Sequence, residues 1–224
     1  MATLATLATL AAAVATVLTA AEPAPAPAPA AEPVKAFLAP EGAGWKSLLD
    51  GADPVAAGWT VEADFWKIEG GTLIGDNNGK DSGRHHHAFH TKDKYLNYEL
   101  HADVKKIGWN AGLMLHEQKS NPNGEDGLHP KAMDPWWGAV WPDTTVNDYK
   151  GKFLSLVKKD DWNHFYVKVE NGQLTLALNG VQTVQFTSER AKKEGFIGIG
   201  LHHGGQKTRV EVKNLVIRPI VAKP

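Results

Sequence analysis

Residues 164–186 read HFYVKVENGQLTLALNGVQTVQF. Apolar and polar side chains alternate through His164–Glu170, Gln173–Leu178 and Val181–Phe186, the period that a half-buried strand requires. Between the runs stand Asn171-Gly172 and Asn179-Gly180. Asn-Gly is the dipeptide that most readily supplies two positive φ angles, so both junctions predict tight hairpin turns. Three consecutive antiparallel strands follow. Outward from them, Tyr98–Val104 alternates in the same way, Phe196–His202 and Thr208–Ile217 add two strands, and Trp59–Ala63, Trp66–Glu69 and Thr72–Gly75 add short ones. The one helical signal is a turn or two at Ser188–Glu194, ended by Gly195. Many short strands with hairpin turns and almost no helix predict an all-β chain, an antiparallel β-sandwich of the jelly-roll kind. No repeat of fixed period is visible.

The chain has 224 residues, with 24 Lys and Arg against 25 Asp and Glu, ten His, eight Trp and no Cys. This balance leaves no basic footprint for a phosphate backbone, so nucleic acid is not an expected partner. Without cysteine there is no disulfide framework and no thiolate ligand or nucleophile. Residues 1–21 carry no charged side chain and end in small residues, which predicts an export signal and a periplasmic or extracellular protein. An uncleaved membrane anchor is the rival reading of that stretch. Residues 22–36 are rich in Pro and Ala and form a semi-rigid extended spacer. The remaining stretch, 37–220, is the size of one domain.

Several motifs, taken in order, resemble the 3-keto-disaccharide hydrolase family. They are Gly44-Trp-Lys-Ser-Leu-Leu-Asp-Gly51, Gly58-Trp59, Trp66–Gly75, Tyr95–Leu100 and Asn110-Ala-Gly-Leu-Met-Leu115, then Asp161-Trp-Asn163, Leu178-Asn-Gly180, Ile197–His202 and Arg209–Ile217. The resemblance implies a concanavalin-A-like jelly roll that acts on oxidised sugars. A ketone at sugar carbon 3 acidifies the proton on carbon 2. A base removes that proton, a donor or metal stabilises the enolate, and the glycosidic oxygen leaves from carbon 1. Water then adds to the unsaturated sugar.

Such chemistry asks for titratable groups near neutrality, and histidine is abundant here. His85, His86 and His87 are consecutive, with His90 nearby. In an extended segment His85 and His87 face one way and His86 the other, so His85, His87 and His90 are candidate ligands for a divalent metal, the one cofactor expected. The family's histidine near the penultimate strand aligns with His202 read forward from Ile197 and with His203 read backward from Val210. His116 stands where the family has Arg, and Glu117 is expected on the opposite side of the strand, leaving one of that pair facing solvent. The family's Tyr-Glu-x-Gln strand is replaced by Asp134-Pro-Trp-Trp-Gly-Ala-Val-Trp-Pro-Asp143. Either Asp134, Asp143, Glu117 or Glu125 supplies the missing carboxylate, or the catalytic machinery is incomplete. His202, His203, His116 and Glu117 are accordingly the catalytic candidates.

Indole rings stack on the apolar faces of sugars. In a regular strand Trp137 and Trp141 face together with Trp136 opposed; all three, with Asn110 and Arg84, are substrate-binding candidates. Trp45, Trp59, Trp66 and Trp162 read as scaffold. A laminarinase-type Glu-x-Asp-x-x-Glu motif begins at Glu62-Ala-Asp64 but ends on Lys67, so it fails. A non-catalytic carbohydrate-binding, lectin-like domain is the alternative, favoured by the lost strand Glu and disfavoured by the histidine surplus. Either way the expected partner is a carbohydrate.

Overall fold

The computed structural model describes residues 32–79, 83–120, 125–144, 146–202 and 206–221. The stretch expected to be an export signal, most of the Pro-Ala spacer, and His203 lie outside the described residues. Among the described residues fourteen strands follow in chain order: β1 (Lys46–Ser47), β2 (Trp59–Thr60), β3 (Trp66–Glu69), β4 (Thr72–Asp76), β5 (Ala88–Tyr95), β6 (Tyr98–Gly108) and β7 (Ala111–Glu117), then β8 (His129–Ala132), β9 (Val140–Trp141), β10 (Asn163–Glu170), β11 (Gln173–Leu178), β12 (Val181–Thr187), β13 (Gly195–Leu201) and β14 (Thr208–Pro219). The expected helix at Ser188–Glu194 is only a single 3-10 turn, Arg190–Lys192.

The strands form two antiparallel sheets. One has eight strands in the order β12-β11-β10-β6-β14-β4-β3, with β1 also paired to β14; the other has six, β2-β5-β13-β7-β8-β9. This is the jelly-roll sandwich that the alternation predicts. The two Asn-Gly turns adopt φ near 50° at Asn171 and Asn179, and 78° and 86° at Gly172 and Gly180. Two positive φ angles in succession give a turn whose twist matches its flanking strands.

Period two decides what lies between the sheets. Leu100, Val104, Phe165, Val167, Leu176 and Val212 point inward from the eight-stranded sheet, and Ala111, Leu113, Leu115, Ile197, Ile199 and Leu201 answer from the other. Burial of this apolar surface drives the fold. Trp59 and Trp66 are buried, and their indole N–H groups donate to the carbonyls of Leu48 and His86, each at 2.6 Å. The Trp66 ring lies where a Cβ on Gly75 would come within 2.6 Å, so the glycine makes room for the indole. Trp45 lies on the outer face of the eight-stranded sheet, over His101 and beneath the Arg218 guanidinium.

On the six-stranded sheet the same alternation turns the intervening residues outward. Gly112 is paired with Gly200 on one side and Lys131 on the other, and His129 is paired with Trp141. Substituting Leu176, fully buried in the middle of β11, by Ala is expected to lower unfolding stability by about 2–5 kcal/mol through lost transfer energy and a cavity. A fall in the urea midpoint at unchanged m-value measures it; a midpoint within error of the parent contradicts this packing.

Candidate functional site

The sequence approaching β5 is extended, and His85 and His87 turn to one side of it. Their rings stack at 4.8 Å between centroids, and both meet the ring of His202, at 4.7 and 4.8 Å. His202 follows β13 with the parity of Gly200. Its Nε2 lies 3.2 Å from where a Gly200 Cβ would stand, so the missing side chain leaves space for the ring. Glu125 reaches the same point from the connection between β7 and β8. Its Oε1 lies 3.3 Å from His202 Nδ1, 3.4 Å from His87 Nε2 and 3.7 Å from His85 Nε2. One ligand atom from each of the four residues falls within 4.8 Å of every other.

His86 turns the opposite way, stacking on Phe65 and lying 3.0 Å from Glu62 through Nδ1. The Arg84 guanidinium grips the same Glu62 carboxylate through both terminal nitrogens, at 2.6 and 2.9 Å. That residue thus braces the loop rather than presenting its charge to a ligand. His90 does not join the cluster: its ring packs edge-on against Trp59 beneath Gly58.

A second group lies beside the cluster on the same face. Glu117 and His129 touch through Oε1 and Nε2 at 2.6 Å, both fully buried. Attraction between a carboxylate and an imidazolium would lower the acid and raise the base, but the shifts run the other way. Burial pushes Glu117 up to about 8 and His129 down to about 4, because two charges in a dry site cost more in lost hydration than their attraction returns. At neutral pH the pair shares one proton and carries no net charge. Lys131 extends from the same strand with its ammonium 5.5 Å from the Trp141 ring centroid. Burial lowers its pKa, an effect only partly opposed by Glu125.

The cluster's own shifts follow the same logic. Burial lowers His202 well below the usual imidazole value, and the neighbouring His87 and Lys131 lower it further. His87 is lowered by burial. Burial alone would raise Glu125, yet the histidines around it, His87 foremost, hold it near 2. The carboxylate is therefore the fixed negative charge beside His87 and His202, whose protonation burial disfavours.

The remaining candidates lie elsewhere or in other roles. His116 and Glu117 are both buried, so neither faces solvent. His116 sits at φ 56° where β7 carries one residue more than β13, and its ring lies inside against Tyr98 with Nδ1 at 2.7 Å from the Lys193 carbonyl. Asn110 is buried beside the site; its carbonyl accepts the His202 N–H, and its Oδ1 has no hydrogen-bond partner among the described residues. The Trp stretch does not keep strand parity, because 133–139 is turn and only Val140–Trp141 is strand. Trp137 is consequently core: it is buried, stacks with Phe165 and donates its N–H to Asp134. Trp136 lies in the turn, and Trp141 alone of the three reaches the site. Asp134 is also engaged by Lys106, and Asp143 by Ser188 and Arg190, so neither carboxylate reaches the cluster. A cavity of about 520 Å³ lined by Lys106, Trp137 and Asp160 lies away from the histidines.

Glu125 was one of four open choices in the sequence, whereas His129 and Lys131 were missed. Their only signal is the alternation of Leu128-His-Pro-Lys-Ala132, which marks positions 129 and 131 as sharing the face opposite Leu128 and Ala132.

Fold and site together define a carbohydrate-related, glycosyl-hydrolase-like jelly-roll domain. Residues 44–218 match the family of the 3-keto-alpha-glucoside-1,2-lyase-like domain, and the chain belongs to that family. Two crystal structures of presumed glycosyl hydrolases from Parabacteroides distasonis ATCC 8503 share the fold. One aligns at a TM-score of 0.56 and 21% identity over 79% of this chain and 99% of its own. The other aligns at 0.55 and 18% identity over 80% and 94%. Comparison with curated proteins gives no match. No helix among the described residues is long and apolar enough to cross a membrane.

Glu117 gives a signed stability prediction. Its pKa is raised on folding, from 4.5 to about 8. The stability it contributes is therefore complete below pH 4.5 and is lost as pH rises through 8. Against Glu117→Gln, which keeps the shape and cannot ionise, the parent is expected to lose Tm progressively between pH 5 and 9. Parallel Tm profiles for the two proteins over that range would show that Glu117 is already ionised.

Proposed function

We propose that this domain cleaves the glycosidic bond of a 3-keto-glycoside by removing the proton on carbon 2, with His85, His202 and Glu125 holding a divalent metal ion. The observation that carries this reading is the convergence of three histidines and one carboxylate beside Trp141, Lys131 and a proton-sharing Glu117–His129 pair.

The donor set fits an ion. Nitrogen and oxygen donors about 2 Å from a tetrahedral metal lie roughly 3.3 Å apart, and Glu125 Oε1 stands 3.3 Å from His202 Nδ1 and 3.7 Å from His85 Nε2. His87 is wired differently. The Leu201 N–H donates to its Nδ1 at 3.0 Å, so the neutral ring carries its proton on Nε2, the atom facing Glu125. We therefore assign His87 to orienting the carboxylate, a role that typically supports metal affinity by about 10–100-fold. Three protein ligands leave a position open, the arrangement of catalytic rather than structural sites. When bound, the ion would supply a Lewis acid for substrate oxygens.

The chain's own residues do the rest. Trp141 offers a flat apolar surface for the sugar ring, and Lys131 brings positive charge to the face where the enolate develops. The Glu117–His129 pair, already sharing a proton, is suited to accept the carbon 2 proton and return one to the leaving oxygen. Export to the periplasm or beyond belongs to the same reading, resting on residues 1–21.

Dialysis against a chelator is expected to abolish turnover of a 3-keto-glucoside, with zinc or manganese restoring it. His202→Ala should abolish zinc binding by calorimetry at little cost in Tm. Turnover that is unaffected by chelation would sink the metal. No turnover under any condition, with sugar binding retained on an array, would make the domain a carbohydrate-binding module. Trp141→Ala is expected to raise KM about tenfold at nearly unchanged kcat, a loss of about 1.4 kcal/mol of uniform binding; an unchanged KM would remove Trp141 from the site.

A further inference from the structure

Asn77 is 1% exposed, and its side-chain amide bonds only to backbone. It stands one residue beyond β4 and extends the pairing of that strand with β14, its own N–H donating to the Thr208 carbonyl at 3.1 Å. Oδ1 accepts the N–H groups of Gly79, at 3.0 Å, and Thr208, at 2.8 Å. Nδ2 donates to the carbonyls of Gln206, at 3.1 Å, and His202, at 3.4 Å. Two backbone donors and two backbone acceptors leave the amide one orientation. A terminal amide is the side-chain group that meets all four, with two lone pairs on oxygen and two protons on nitrogen.

The bond to His202 crosses the sandwich. Asn77 belongs with β4 and β14 of the eight-stranded sheet, whereas His202 is the first residue after β13 of the six-stranded one. The last pair of β13 with β7 is Leu201 and Ala111, so His202 has left the ladder. Its N–H reaches the Asn110 carbonyl at 3.4 Å, and among the described residues its carbonyl is held by Asn77. These contacts fix the backbone on both sides of His202. What remains is rotation of the side chain, which the rings of His85 and His87 confine. Donor atoms must stand within about 0.2 Å of their ideal distance from an ion, so slack at this carbonyl would pass directly to Nδ1.

We propose that Asn77 is a positioning residue that sets His202 for metal binding from the opposite sheet. This inference rests on the metal-dependent reading given above and deepens it: the cluster lies over the six-stranded sheet, and its geometry is fixed in part from the eight-stranded one. With its bonds made to backbone, Asn77 touches neither ion nor sugar and acts through His202.

The test titrates the full chain with zinc by calorimetry, at a temperature where circular dichroism shows each protein folded. Asn77→Asp keeps the shape and both acceptors for Gly79 and Thr208, but sets lone pairs against the carbonyls of His202 and Gln206. It is expected to weaken zinc binding at least tenfold, within the range of about 10–100-fold that supporting partners of metal ligands contribute. The visible spectrum of bound cobalt(II), which reports ligand geometry, should change with it. Leu176→Ala loosens the core away from the site and should leave zinc affinity and the cobalt spectrum as in the parent. Asn77→Ser withdraws the reach to the His202 carbonyl without adding a charge. It should weaken zinc as Asn77→Asp does, and it decides the matter if the first variant does not fold. Zinc held by the folded Asn77 variants as tightly as by the parent overturns the positioning role and leaves the metal reading standing. An equal loss in Leu176→Ala overturns it too, since general loosening would then account for the effect. Failure of the parent to bind zinc refutes the metal reading and this inference with it.

Discussion

Between β7 and β13 the pairing runs Glu117 against Phe196 and Met114 against Gly198, so β7 spends one more residue than its partner over the same stretch. His116, at φ 56°, takes up the surplus. A bulge of this kind switches the face on which the following side chain lies. Leu113 and Leu115 point into the sandwich, and strict alternation would send Glu117 after them, where a carboxyl group would have no polar partner among leucines. The extra residue instead puts the His116 ring inside against Tyr98 and delivers Glu117 to the outer face, 2.6 Å from His129. The acid–base pair therefore exists because the backbone departs from period two at one position.

Around that pair the electrostatics are frugal. His85, His87, His202, His129 and Lys131 crowd one patch of sheet, and a single carboxylate, Glu125, faces most of them. Were these bases all protonated, mutual repulsion and lost hydration would make the patch untenable. The shifts show the resolution: His87, His129 and His202 are held below the usual imidazole value, and Glu125 remains ionised near 2. Lone pairs kept free of protons around one negative charge are the state that binding a cation or accepting a substrate proton requires. The scaffold surrounds this patch with a conventional apolar interior.

How much of this was legible in the sequence differs between scaffold and site. Alternation and the two Asn-Gly turns are local signals, and β10, β11 and β12 appear where the residues place them. Parity also separates His86 from His85 and His87 in an extended segment. The Trp136–Trp141 stretch misleads for the opposite reason: parity holds only in a strand, and 133–139 turns, so Trp137 goes to the core while Trp141 reaches the surface. Lys131 and His129 are hidden by a third effect. Their meaning comes from register across β13, β7 and β8, a long-range pairing that no window of sequence contains. His90 shows that nearness in sequence to a histidine run is not nearness in space, since its ring belongs with Trp59.

The lost strand carboxylate can be weighed in these terms. The stretch Asp134–Asp143 offers two aspartates, but both are spent on structure, one holding Lys106 and Trp137 and the other Ser188 and Arg190. Neither could be freed for chemistry without unsettling the turn that carries Trp141 to the sheet. Among the described residues the Glu125 carboxylate instead faces the histidines of the cluster. A carboxylate on the connection into β8 reaches the same face as one on a strand, because His129 and Lys131 immediately follow it on that face. In this chain Glu125 is the residue that brings the negative charge among the imidazoles of His85, His87 and His202.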